Sequence, residues 1–282
     1  MKAILSIFLF FTCFFGFAQI NTPPPSPSSQ VKQIVGLTEI EVEYNRPSKR
    51  GRVIFGNLVP YGKLWRTGAN SNTKINFSTD VELNGNKIKA GTYSIFSIPN
   101  KNSWEIILYS ESDLWGVPKN WDDKKIIFRS DYQLLKNSQA LETFSISFSD
   151  ISNDYADLII AWDDTYVKIK IDVLTRQKVQ GNIESVMSKS PKSSDYYSAA
   201  VYYRQESINL DTALEWINKA MQMSESPKFY QLRQQSLIMA ANEKYSDAVK
   251  VAQKSLELSI EEDNQDYVKM NTESIQEWSK KL

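Results

Sequence analysis

The chain has 282 residues, 41% hydrophobic and 12% aromatic, which is enough to build one large domain or two modest ones. Its 33 Lys and Arg balance its 33 Asp and Glu, and no long basic run is present, so binding to a nucleic-acid backbone by counterion release is not expected. There is no histidine and only one cysteine, Cys13; together these gaps remove Ser-His-Asp and Cys-His catalysis, imidazole bases and histidine metal motifs.

The N-terminus reads as a secretory signal. Lys2 supplies the positive charge, Ile4 to Phe15 is almost wholly apolar, and Gly16-Phe17-Ala18 offers small residues where a signal peptidase looks. A signal peptide over residues 1–18, cleaved between Ala18 and Gln19, sends the protein to the periplasm or the outside. It leaves no transmembrane segment, because no other run is long and apolar enough to span a bilayer. Cys13 lies inside the signal, so the mature chain loses thiol nucleophiles and thiolate zinc sites as well. Carboxylates, Lys, Tyr or Ser alone, or an all-oxygen metal site, stay open. No cofactor is expected, and no metal site is assigned.

Residues 19–30 hold Pro23-Pro24-Pro25, Pro27 and three serines, the composition of a stiff polar tether. The following 31–175 region carries strand patterns. Ile40, Val42 and Tyr44 alternate with Glu39, Glu41 and Glu43, and Asn84-Gly85-Asn86 marks a tight hairpin between Val81–Leu83 and Lys87–Lys89. Further strands are expected at 92–98, 104–109, 126–129, 144–148, 158–162 and 166–173, the last two flanking a turn at Asp163-Asp164-Thr165. About nine short strands with no intervening helix predict an antiparallel all-β sandwich.

After Thr175 the period changes. Ala213–Ala220 and Ala248–Ser255 superpose with a shift of 35 positions, close to the tetratricopeptide period of about 34 residues. Residues 176–282 are therefore expected to form an all-α helical-hairpin repeat tail, with first helices near 196–208 and 228–242 and a capping helix at 265–282. Such hairpins present a surface to a protein or peptide partner.

One irregular stretch stands out. Arg46, Arg50, Arg52 and Arg66, with Gly51, Gly56, Gly62 and Gly68, fall between positions 46 and 68, alongside Phe55, Tyr61 and Trp65. Glycines let backbone N–H groups converge, guanidinium forks bind carboxylate or phosphate, and aromatic rings hold a sugar or stack on a cation. Arg46, Arg52, Tyr61, Trp65, Arg66 and Asn70 are accordingly the candidate residues for an anionic or polar small ligand. A second reading makes Arg46, Arg52 or Arg66 internal ties to carboxylates such as Asp80, Asp122 or Asp131, with Trp65 plugging the core.

Asn45-Arg46-Pro47-Ser48, Gly51-Arg52, Ile54-Phe55-Gly56, Leu58–Lys63, Trp65–Asn70, Ala90-Gly91-Thr92-Tyr93 and Ile98-Pro99 resemble the domain of unknown function 2911 family over about residues 30–175. The resemblance implies bacterial export and carries no activity or catalytic residue. Trp115-Gly116-Val117 and Trp121-Asp122-Asp123 are a second aromatic and acidic segment. They leave open a hydrolase of envelope glycans that uses Asp122, Asp123 or Glu105. The leading expectation is a non-catalytic binding or interaction module of the cell envelope.

Overall fold

The computed structural model describes residues 22–282, so the signal segment and the expected cleavage point lie outside the described residues. The chain divides into two compact units, with the boundary between Thr175 and Arg176.

The first unit is built from ten antiparallel strands: β1 (Ser28–Val35), β2 (Thr38–Asn45), β3 (Thr73–Phe77), β4 (Val81–Leu83), β5 (Asn86–Ile88), β6 (Gly91–Pro99), β7 (Ser103–Tyr109), β8 (Ile126–Gln133), β9 (Leu135–Ser149) and β10 (Tyr155–Val173). A six-stranded sheet, β1-β2-β3-β6-β7-β8, faces a four-stranded one, β5-β4-β10-β9. Ile40, Val42, Ile75, Ile95 and Ile106 from the first sheet share one core with Val81, Phe144, Ile160, Val167 and Ile171 from the second. This is the expected sandwich, with alternating side chains filling the space between two layers. The Asn84-Gly85 turn is as expected, with both residues at positive φ and Leu83 paired to Asn86.

Three elements differ from the sequence reading. Strand β1 begins at Ser28, within the segment read as tether, and Ser28, Ser29 and Gln30 pair with Asn45, Tyr44 and Glu43. Its apolar face is thin, and the ladder to β2 holds it at the sheet edge. β3 carries only five residues and was not anticipated. The turn expected at Asp163-Asp164-Thr165 is instead a bulge inside the 19-residue β10, with register shifts on either side of Asp163 and φ 54° there. A long partner, β9, templates the strand straight through a local turn signal. Asp163 and Asp164 are then tied to Lys49 at 2.5 Å and Lys136 at 2.7 Å.

The second unit holds six helices: α1 (Thr175–Met187), α2 (Ser193–Gln205), α3 (Leu210–Gln222), α4 (Phe229–Ala241), α5 (Tyr245–Glu261) and α6 (Gln265–Ser279). Helices α2, α4 and α6 begin at 193, 229 and 265, an interval of 36 residues each time. Ala213, Ala220, Ala248 and Ala252 are completely buried, so the small residues sit where helices approach closely. Helix α1 was not anticipated: it is mostly polar, and Ile183 is its one buried hydrophobic residue. No helix among the described residues is long and apolar enough to cross a membrane.

Two tyrosines of the sandwich core make opposite use of their hydroxyls. Tyr44, on β2, accepts from Ile146 N at 3.1 Å and donates to Ile146 O at 3.2 Å, so it covers the open edge of β9 from the facing sheet. The Tyr132 hydroxyl is buried without a partner, and burial pushes its pKa up to about 12. Tyr44→Phe strands two buried peptide groups and is expected to lower unfolding free energy by about 2 kcal/mol. Tyr132→Phe removes only an unmet hydroxyl and should leave stability unchanged or higher. Urea denaturation of the two variants checks the contrast.

Candidate functional site

The site grows from three consecutive residues. Trp65 N donates to Ser97 O at 2.8 Å, and Ser97 N donates to Trp65 O at 2.9 Å. The irregular stretch thus continues along β6 beyond Ile95, where β3 begins its pairing at Thr73. Extended backbone turns alternate side chains to opposite faces. Trp65 therefore enters the core, stacked on Trp162 with centroids 6.1 Å apart and edge-on to Phe55, Trp104 and Phe144. Its indole N–H donates to Gly68 O at 3.0 Å. Leu64 instead covers the outer face of the six-stranded sheet, with Phe96, Ile107, Tyr109 and Trp121.

Arg66 follows on that outer side, half-buried, and its Nη1 donates to Asn70 O at 2.8 Å. Opposite it runs the connection between β7 and β8. Asn72, buried, fixes this connection from below. Its Oδ1 accepts from Leu114 N at 2.8 Å, its Nδ2 donates to Ser112 O at 2.9 Å and to Ser94 Oγ, and its backbone N donates to Leu114 O at 3.1 Å. One carboxamide thereby sets the position of Trp115-Gly116-Val117 against Arg66.

The result is a surface cleft of about 430 Å³ between residues 58–66 and 115–117. Val59, Trp65, Arg66 and Gly116 form its floor, and Leu58, Lys63, Trp115 and Val117 are its exposed rim. Trp115 is 79% exposed, so its ring is offered to solvent rather than used in packing. Gly116 has φ 88°, and a Cβ there would lie 3.0 Å from Arg66 Nη1. The left-handed φ favours glycine here, and a side chain would also press on the guanidinium. The lining carries two cations, Lys63 and Arg66, and no carboxylate.

The six residues singled out from the sequence do not converge on one spot. Trp65 and Arg66 line the cleft, and Asn70 holds Arg66 through its carbonyl. Tyr61 is exposed, with its ring against Gly56. Arg46 donates through Nε to Phe144 O at 3.0 Å, and Arg52 folds back on its own turn, donating to Lys49 O and Ser48 O. These bonds run to peptide carbonyls rather than to the acids considered above: Asp80 pairs with Lys89. The carboxylates of the hydrolase reading are also engaged elsewhere. Glu105 pairs with Arg129 at 2.7 Å, Asp122 accepts from Lys124 N and Asp123 accepts from Trp121 Nε1. Among the described residues no group of three or more acidic side chains is placed to hold a metal ion.

Sequence reasoning passed over Asn72, and it noted Trp115 and Gly116 without joining them to Arg66. A tryptophan next to a glycine in a turn-rich connection was the available signal; nothing in the pattern marks Asn72 as buried. A further depression of about 380 Å³ along β1 and β2 is lined by serines, asparagines and Lys74. It offers no exposed ring, since Tyr44 there is turned into the core.

Fold and cleft together define a β-sandwich domain with a preformed aromatic and cationic surface groove, followed by helical hairpins. The chain belongs to the family described as a protein of unknown function (DUF2911), whose model matches residues 26–171. No curated protein and no solved structure matches the chain.

Asn72→Ala removes the acceptor of Leu114 N and the donor to Ser112 O, and is expected to destabilise the domain by about 2–4 kcal/mol. Thermal melting measures the loss, and the Trp115 segment should gain proteolytic sensitivity in the same variant.

Proposed function

We propose that this protein is an exported, non-catalytic binding protein of the cell envelope, whose β domain holds a polar, negatively charged saccharide in the Trp115 cleft. The single observation that carries the reading is an indole left 79% exposed beside two cations in a groove whose shape is already set. A sugar ring presents an apolar C–H face that lies well on an indole, and an acidic substituent suits a guanidinium fork. Arg66 uses one of its five N–H donors on Asn70, so the fork retains donors for a ligand. An apolar and aromatic lining with a small number of placed charges, as here, is the usual construction of a small-ligand site.

The export part of this reading rests on Lys2, the apolar run from Ile4 to Phe15 and Gly16-Phe17-Ala18. The absence of histidine and the lack of a carboxylate in the groove favour binding over hydrolysis, which needs two separated carboxyl groups at the scissile bond. The 36-residue helical interval supports a tetratricopeptide-like tail that receives a protein or peptide.

Titration with uronic-acid oligosaccharides, followed by tryptophan fluorescence and calorimetry, tests the cleft. Neutral oligosaccharides of equal length serve as the control. Trp115→Ala should abolish binding of the acidic sugars while leaving the melting temperature within about 1–2 °C of the parent, because an exposed ring contributes little to stability. Arg66→Gln should weaken the acidic sugars by about tenfold or more and leave neutral sugars unaffected. Retention of full affinity in Trp115→Ala, or preference for the neutral series, would remove the basis for this assignment.

A further inference from the structure

The helical unit carries a second cluster that its own packing does not explain. Helix α4 lies between α2 and α6. On α2, Arg204 follows Tyr197 by two turns; on α4, Arg233 follows Tyr230 by one turn; and α6 opens with Tyr267 followed by Asn271 and Ser274 on the same face. Arg233 Nη1 donates to Ser274 Oγ at 2.9 Å and reaches Asn271 Oδ1 at 3.5 Å. These are neutral partners.

Arg204 is worse provided for: it is half-buried, and its Nε is wholly buried without an acceptor. Arg129 pairs with Glu105 and Arg176 with Glu206, whereas neither Arg204 nor Arg233 forms an ion pair among the described residues. Burial lowers the pKa of both guanidiniums, and the charge of Arg204 lowers that of Arg233 further, so the two feel each other. The pull of Glu273 on Arg233 is the weakest of the influences acting there, and Glu273 is exposed. Burial, followed by the neighbouring phenols of Tyr230 and Tyr267, raises the pKa of Tyr197, and Phe229 lies edge-on to both Tyr230 and Tyr267.

Two half-buried like charges without a counter-charge destabilise a fold. Such an arrangement makes sense when the missing anion arrives from outside. A carboxylate fits a guanidinium fork bidentately, and tyrosines add broad contact at small entropic cost. A row of neighbouring helices suits an extended chain, which can reach Arg204 and Arg233 together.

We propose that Arg204 and Arg233, framed by Tyr197, Tyr230 and Tyr267, form a docking site for an acidic peptide segment of a partner protein, whose carboxylates occupy the two guanidinium forks. The site belongs to the helical unit alone and does not rest on the sugar cleft, although it gives the expected peptide partner a place and a chemistry.

The full chain is titrated with a fluorescein-labelled dodecapeptide of alternating glutamate and serine, with the glutamine counterpart as control. The glutamate peptide should bind, and the glutamine peptide should bind about tenfold more weakly or less. Arg204→Gln and Arg233→Gln should each weaken the glutamate peptide by about fivefold or more with helical circular dichroism retained. Trp115→Ala should leave peptide binding unchanged, which separates this site from the sugar cleft. Failure of the glutamate peptide to bind, equal binding of the glutamine peptide, indifference to both arginine variants, or full displacement by millimolar inorganic phosphate each overturn the proposal. A second readout needs no ligand: Arg204→Met removes an unmet charge and should raise the melting temperature of the free protein. A lowered one means the guanidinium is part of the packing and also overturns it.

Discussion

The insertion of Trp65 between the two sheets is the contact on which the candidate site depends. Without it, residues 46–72 would be a long glycine-containing excursion free to adopt many conformations, at a cost of about 1–2 kcal/mol for each residue ordered. With the indole held among Phe55, Trp104, Phe144 and Trp162, and its backbone bridged to Ser97, the excursion has one fixed point in its middle. Leu64 and Arg66 are then directed to the outer surface by the pleat alone. Burial of one ring thereby decides where a cation stands.

A second constraint works through polarity. Asn72 and Ser94, both buried, form a network with the half-buried peptide groups of Ser112 and Leu114 at the base of the β7–β8 connection. Such networks are valuable because every member is satisfied and costly when one is lost. Trp65 fixes one wall of the groove, Asn72 fixes the other, and Gly116 permits their close approach. The groove is thus shaped before any ligand arrives, which keeps the entropic cost of binding low.

Much of the architecture could be read from periodicity. The alternation at Ile40, Val42 and Tyr44, the Asn84-Gly85 turn and the small residues at Ala213 and Ala248 all express local rules that tertiary structure respects. What escaped the reading has a common cause. Strand β1 is held by its ladder to β2 more than by an apolar face, helix α1 packs through only the short stripe Val179, Ile183 and Met187, and the Asp163 bulge exists because β9 imposes continuity on β10. The candidate site was half visible. Composition pointed to residues 46–70 but treated their arginines as one group, whereas the carbonyl of Phe144 takes up Arg46, the carbonyls of its own turn take up Arg52, and Arg66 is left at the groove. The partner wall at Trp115 lies about fifty positions away, and no spacing rule links the two segments. Asp163 and Asp164, read as a turn, have lysine partners in Lys49 and Lys136, and Lys168 likewise serves both Asp150 and Asp157.

The regular interval at which α2, α4 and α6 begin has a further consequence. Helices stacked by nearest-neighbour contacts form a one-dimensional array, whose stability and length change by whole increments. Each of the three helices carries a tyrosine in its first five residues, although Tyr197, Tyr230 and Tyr267 stand at different positions of their helices. In such an array, duplication or deletion of one hairpin lengthens or shortens the whole by a fixed step, so reach is set by counting hairpins rather than by redesigning any of them.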